Sequence, residues 1–130
     1  MRDITTRADV EQLVHTFYQR IQQHPQLGYI FNTIAATDWD QHLPKMVNFW
    51  ENILFGTGSY KGNPMAPHER IHSNFTLNRS LFQEWLLLFE QTVDSLFSGP
   101  TATRAKERAA AIAEMMVQRL HTPTLFRFRE

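Results

Sequence analysis

The sequence predicts an all-α fold. Three observations carry that expectation. Apolar residues recur at spacings of three and four in several segments, which is the helical period. No segment sustains the alternation at period two that a half-buried strand would show. Glycine, proline and capping residues fall between the periodic segments and punctuate them.

The elements follow in order. Thr6 or Asp9 suits the N-cap of a first helix, on which Val10, Leu13, Val14, Phe17 and Ile21 share one face. His24-Pro25 ends it, because the residue before a proline is pushed out of the α region. A short element spans Leu27 to Ile34. The run Thr37-Asp38-Trp39-Asp40 supplies caps for a helix reaching Phe55, with Leu43, Met46, Val47, Trp50 and Leu54 inside. Pro44 fits there if the regular helix begins near Asp40 or later, after an irregular turn. Phe55 to Pro67 holds Gly56, Gly58, Gly62, Pro64 and Pro67 and reads as a loop. Loops of about a dozen residues in small domains are often functional.

Leu81 to Phe97 is the strongest helix. Leu81, Phe82, Trp85, Phe89, Val93, Leu96 and Phe97 form one apolar stripe, and Ser98-Gly99-Pro100 stops it. Thr101 or Thr103 caps a last helix, with Ala109, Ile112, Ala113, Met116 and Leu120 inward and Thr122-Pro123 at its end. Phe126-Arg127-Phe128-Arg129 alternates but is too short to make a sheet. All of this reads as one domain over residues 1–130.

Composition narrows the function. Lys and Arg number 13 against 13 Asp and Glu, so the chain lacks the basic excess of a nucleic-acid binder. Cysteine is absent, which removes disulfides, thiolate metal sites and thiol nucleophiles. No apolar run approaches the roughly 20 residues that cross a bilayer, and Met1 to Arg7 has no apolar run at all. A soluble, cytoplasmic protein with no membrane and no nucleic-acid partner is expected. Phe 10, Tyr 3 and Trp 3 make an aromatic supply that is heavy for so small a chain.

The metal-ligand resource is histidine: His15, His24, His42, His68, His72 and His121. There is no Asp-rich calcium loop, phosphate cradle or nucleophile elbow, so serine-hydrolase and nucleotide readings have no footing. His68 stands out by position, just after Pro64-Met65-Ala66-Pro67 and between two apolar helices, where an imidazole can face a planar metal cofactor. On position alone a surface or capping role is the more common one for a single histidine. Tyr18 and Trp85 likewise read as core aromatics when taken singly.

Taken together, several stretches are similar to the group III truncated haemoglobins of bacteria. They are Phe17-Tyr18, Leu27-Gly28-Tyr29-Ile30-Phe31-Asn32, the run from Asp38 to Trp50, the run from Leu54 to His68, and Phe82 to Phe89. They lie in the family's order and span residues 10 to 97, and the last helix is compatible. The resemblance implies a truncated globin, a two-over-two α-helical sandwich around haem b (iron protoporphyrin IX). His68 matches the proximal iron ligand and His42 the distal histidine. Tyr18 and Trp85 match distal hydrogen-bond donors, and Phe31 matches the phenylalanine that packs on the porphyrin. Lys45, three residues from His42, is a partner for a haem propionate or a solvated lysine. Met46, Phe49, Trp50, Met65, Ile112 and Met116 are apolar haem contacts or plain core. A poorly helical segment before His68 would let iron set the ring.

The function so implied is reversible binding of O2, NO or CO, for oxygen transport, storage, sensing or detoxification of NO and reactive species. Donors at Tyr18 and Trp85 suit slow release better than bulk delivery. Sustained NO dioxygenase activity would need an external reductase. Two other readings remain at this level: a peroxidase-like haem enzyme using His42 as acid–base, and a haem-free helical interaction domain whose aromatics are simply core.

Overall fold

The computed structural model describes residues 1–121. The last nine positions, which include Thr122-Pro123 and the Phe126 to Arg129 tail, lie outside the described residues. Six α-helices run in order: α1 (Arg7–Gln23), α2 (Pro25–Tyr29), α3 (Trp39–Phe55), α4 (Met65–Asn74), α5 (Arg79–Leu96) and α6 (Pro100–Leu120). A π-helical turn, Ile30–Ile34, follows α2, and there is no strand among the described residues. None of these helices is long and apolar enough to cross a membrane.

Helices α1 and α3 pack together, as do α5 and α6; α1 also meets α5 and α3 meets α6 across the two layers. The core between them holds Val10, Leu13, Val14, Phe17 and Ile21 of α1 with Val47 and Trp50 of α3 and Phe89 and Val93 of α5. These are the positions that the three-and-four spacing marks as inward. Trp50 stacks on Phe89 at 4.7 Å between ring centroids, and Phe17 meets Phe89 edge-on at 5.1 Å. Aromatic pairs in such geometries stabilise by about 0.5–1.5 kcal/mol beyond the area they bury.

Local chemistry sets the ends. Thr6 is the N-cap of α1, and Asp9 completes a capping box. The Asp9 carboxylate is buried, accepts from the backbone N–H of Thr5 at 2.8 Å and Thr6 at 3.1 Å, and pairs with Arg2. Gly28 permits α2 to fold back onto α1: a Cβ there would meet the Gln22 carbonyl oxygen at 2.6 Å. Gly56 closes α3 in the left-handed region, with φ 66°.

Four details differ from the sequence expectation. The loop after α3 ends at Pro64, not Pro67, because α4 starts at Met65 and a proline at the third helical position needs no intrahelical N–H. His68 therefore sits near the start of a ten-residue helix and not on a poorly helical stretch. α4 is too polar to show a stripe, with only Met65 and Ile71 as large apolar side chains. α3 is regular from Trp39, earlier than expected, and carries Pro44 inside it, while Asp38 makes no side-chain cap bond.

The start of α6 also differs. Its N-cap is Gly99, and neither Thr101 nor Thr103 caps it. The capping group is the Asp3 carboxylate, which accepts from Thr101 N and Ala102 N, each at 2.9 Å. An acid at a helix N-terminus satisfies orphan donors and complements the dipole.

The Arg2 guanidinium beside Asp9 holds that carboxyl well below the usual carboxylate range. Its contribution to stability is thus present above about pH 4 and lost as pH falls further. Replacing Asp9 by Ala is expected to lower stability by about 1–2 kcal/mol at pH 7. The difference from wild type should shrink on acidification, as read by urea unfolding at pH 7 and pH 3.

Candidate functional site

The site begins at α4. His68 Nδ1 lies 2.6 Å from the Pro64 carbonyl oxygen, which can only accept, so Nδ1 carries the proton. The other nitrogen, Nε2, keeps its lone pair. Metal-ligating histidines recur with this arrangement, one N–H fixed by a carbonyl and the opposite nitrogen left to bind. The side chain is half-buried, and burial lowers its pKa while the Pro64 bond opposes the shift. Asn63 supports the same turn by accepting from Met65 N at 3.0 Å. The Phe82 ring of α5 lies 6.2 Å from the imidazole at 31°.

His42 projects from α3 into a box of rings. Tyr18 stands edge-on to it at 5.0 Å, Trp39 at 5.6 Å, and Phe31 lies tilted at 6.0 Å. His42 Nε2 is sealed from water and has no hydrogen-bond partner among the described residues. Burial, then the Lys45 charge, then His68 push the His42 pKa down to about 4. A neutral imidazole with an unpaired buried nitrogen carries a desolvation penalty of about 1–3 kcal/mol. That penalty is relieved when a ligand supplies the missing partner. Tyr18 is buried, and burial raises its pKa, so its hydroxyl remains protonated and can donate.

The remaining predicted residues are spread over both apolar clusters and the surface. Trp85 is half-buried, stacked on Phe89 at 5.7 Å and edge-on to Phe17 at 5.6 Å. Phe31, Met46 and Phe49 are also half-buried against the main core, and Phe31 stacks on Trp39 at 5.8 Å. Met65 and Met116 belong to a second apolar cluster, with Ile30, Leu77 and Leu120. Ile112 packs against both clusters. Trp50 lies deeper than these, inside the main core, and Lys45 is exposed.

These residues fit a flat apolar group with one metal. Half-buried apolar side chains come from four helices: Leu43, Met46 and Phe49 of α3, Ile71 of α4, Phe82 and Trp85 of α5, and Ile112 of α6. His68 offers a fixed donor nitrogen, and His42 an orphaned polar atom. His68-Glu69-Arg70-Ile71-His72 has the His-Glu-x-x-His spacing, but His72 Nδ1 accepts from Leu77 N at 2.9 Å and its ring faces His121 at 5.0 Å. No group of three or more His, Cys, Asp or Glu could hold a bare metal ion among the described residues. A single fixed imidazole nitrogen beside half-buried apolar side chains fits haem.

Two contributors have no site role in the sequence reading. Phe82 reads as part of the α5 stripe and of a family-like run, yet its ring lies 6.2 Å from that of His68; its place three residues before Trp85 on one helix face is the available signal. Trp39 reads as part of a cap and of a family-like run, yet its ring meets Tyr18, Phe31 and His42.

A family model described as bacterial-like globin matches residues 3–127. Group 3 truncated hemoglobin ctb of Campylobacter jejuni is 30% identical over 107 residues, covering 80% of this chain and 82% of that protein. The crystal structure of a group III truncated hemoglobin from Campylobacter jejuni superposes with a TM-score of 0.82 at 28% identity, covering 94% of this chain and 97% of that one.

The burial of His42 has a measurable consequence. The His42 ring proton resonances should stay fixed from about pH 8 to pH 5.5 and move only toward the folded pKa of about 4. Because that value lies below the ordinary histidine value near 6.5, the neutral ring's contribution to stability is present above it and lost as pH falls toward 4. His42→Leu should flatten that part of the pH–stability curve. An NMR midpoint above pH 6 would contradict the sealed geometry.

Proposed function

This chain belongs to the bacterial-like globin family, and on that premise we propose a haem b protein that reversibly binds O2, with NO and CO as further ligands. Family membership itself implies a haem-binding globin. His68 Nε2 would hold the iron of haem, which when bound would supply the site that binds a diatomic ligand. The observation that carries the reading is the Nδ1 bond of His68 to the Pro64 carbonyl. It orients the ring, selects the tautomer and raises the basicity of Nε2.

The other residues take roles according to their chemistry. Phe31, Met46, Phe49, Met65, Ile112 and Met116 would wrap the apolar faces, with Trp50 backing them from the core. Lys45, exposed and three residues from His42, would meet a propionate at the rim. Tyr18 and Trp85 would donate hydrogen bonds to the ligand. Each such bond in a dry pocket contributes about 1 kcal/mol. Strong retention suits sensing or the handling of reactive nitrogen and oxygen species, with electrons drawn from an external reductase.

His42 supports a second, peroxidase-like reading in one respect. Its imidazole is neutral and its Nε2 has no partner among the described residues, so a ligand-side proton could meet it there, although the lowered pKa makes it a weak base. If it accepts that proton, peroxide turnover should fall in His42→Leu; an unchanged rate would remove His42 from that role.

Haemin titration should show one Soret-absorbing haem per chain in wild type and loss of that band in His68→Ala. A folded wild-type protein that takes up no haem would sink the proposal in favour of a haem-free domain. Tyr18→Phe and Trp85→Phe should each speed O2 release by about fivefold, following from about 1 kcal/mol per lost bond. Unchanged off-rates by stopped flow would mean that neither side chain meets the ligand.

A further inference from the structure

We infer that Trp39, pinned by Asn32, is a positioning residue that holds the His42 imidazole inside its aromatic box. Trp39 and His42 are three residues apart on α3, so they lie on one face. Side chains on a helix tilt toward its N-terminus, so the His42 ring leans over the turn that Trp39 begins. The half-buried indole is accordingly the wall of the box on the N-terminal side of α3. It stands edge-on to His42 at 5.6 Å, stacks on Phe31 at 5.8 Å and touches Tyr18 at 5.6 Å.

The wall is fixed by one directional bond. Trp39 Nε1 donates to Asn32 Oδ1 at 3.0 Å. Asn32 lies in the middle of the π-helical turn Ile30–Ile34, the same turn that presents Phe31. The connection from that turn to α3 contains Ala36 with φ 48°, a left-handed conformation that an alanine adopts only under constraint. Thr37 N donates to the Phe31 carbonyl at 3.0 Å and ties the same connection back. The π turn, the strained Ala36 and the Trp39 bond thus act on one corner, and His42 is the group they enclose. π-helical turns occur frequently at functional sites, where they set side chains that a regular helix would rotate away.

The consequence is control of passage at that corner. With the indole bonded to Asn32, His42 keeps its sealed pose and a ligand entering beside it must displace both rings. With the bond removed, the indole swings and His42 gains a way outward to water. The inference rests on the reading of His42 as the ligand-side histidine, and it adds the residues that set its pose.

The test uses the full chain in its ferrous CO form, which is diamagnetic, with the variants Asn32→Ala, Trp39→Phe and Asn32→Asp. Asn32→Ala removes the acceptor, Trp39→Phe keeps a ring but removes the donor, and Asn32→Asp keeps an oxygen acceptor. Two readouts are taken: nuclear Overhauser contacts from the His42 ring to Tyr18, and the bimolecular CO association rate after flash photolysis. Asn32→Ala and Trp39→Phe should weaken the contacts and speed CO entry by roughly three- to fivefold, the equivalent of one lost hydrogen bond. Asn32→Asp should behave as wild type. Variants that lose thermal stability while both readouts stay at wild-type values would overturn the inference and leave Trp39 a purely structural residue. If the chain forms no CO complex, the haem reading fails separately. The ring contacts, measured on the same chain without CO, then decide the positioning role alone.

Discussion

The hydrogen bond from His68 to the Pro64 carbonyl is the constraint on which the site depends. It ties a ring nitrogen to the backbone at the start of α4, and so gives the opposite nitrogen a fixed direction and a free lone pair. Short helices at the edge of a bundle hold side chains loosely unless something anchors them. α4 is such a helix, packed chiefly against α6. The prolines before and within its first turn, with the Asn63 bond to Met65 N, prepare the carbonyl that anchors the imidazole.

The aromatic surplus follows from the same site. A bundle that buried all of its large side chains would leave few of them half-open. Here the deep core is complete, with Phe17, Trp50 and Phe89 sealed. Phe31, Phe49, Phe82 and Trp85 remain half-buried, with Phe31 beside His42 and Phe82 beside His68. Two apolar clusters share Ile112 at their border. Apolar surface left in this state gains stability when a flat hydrophobic group covers it, at about 25 cal/mol per Å². Of the histidines, His68 is the one whose Nδ1 is tied to a backbone carbonyl, which leaves Nε2 free.

Much of the fold was legible because α1, α3, α5 and α6 each keep apolar residues at three and four over several turns. α4 was not legible, since its middle reads His-Glu-Arg and its burial is borne mainly by Met65. The α6 cap was beyond local reading: Asp3 lies 98 residues from Thr101 in the chain. The site divides along the same line. His68, His42, Tyr18 and Trp85 came from their match to a family pattern. The part of Trp39 depends on a π-helical turn that no periodicity announces, and on Asn32, an ordinary exposed residue in sequence terms.

The proposal that His68 Nε2 would hold the haem iron is tested most directly by chemical rescue of a His68→Gly variant. The measurement is the reduced-minus-CO absorption difference of the haem-loaded protein, with and without added imidazole. Wild type should give a strong Soret difference, the variant a lost or shifted one, and millimolar imidazole should restore the wild-type spectrum. A His68→Gly variant with a wild-type spectrum in the absence of imidazole would contradict the account.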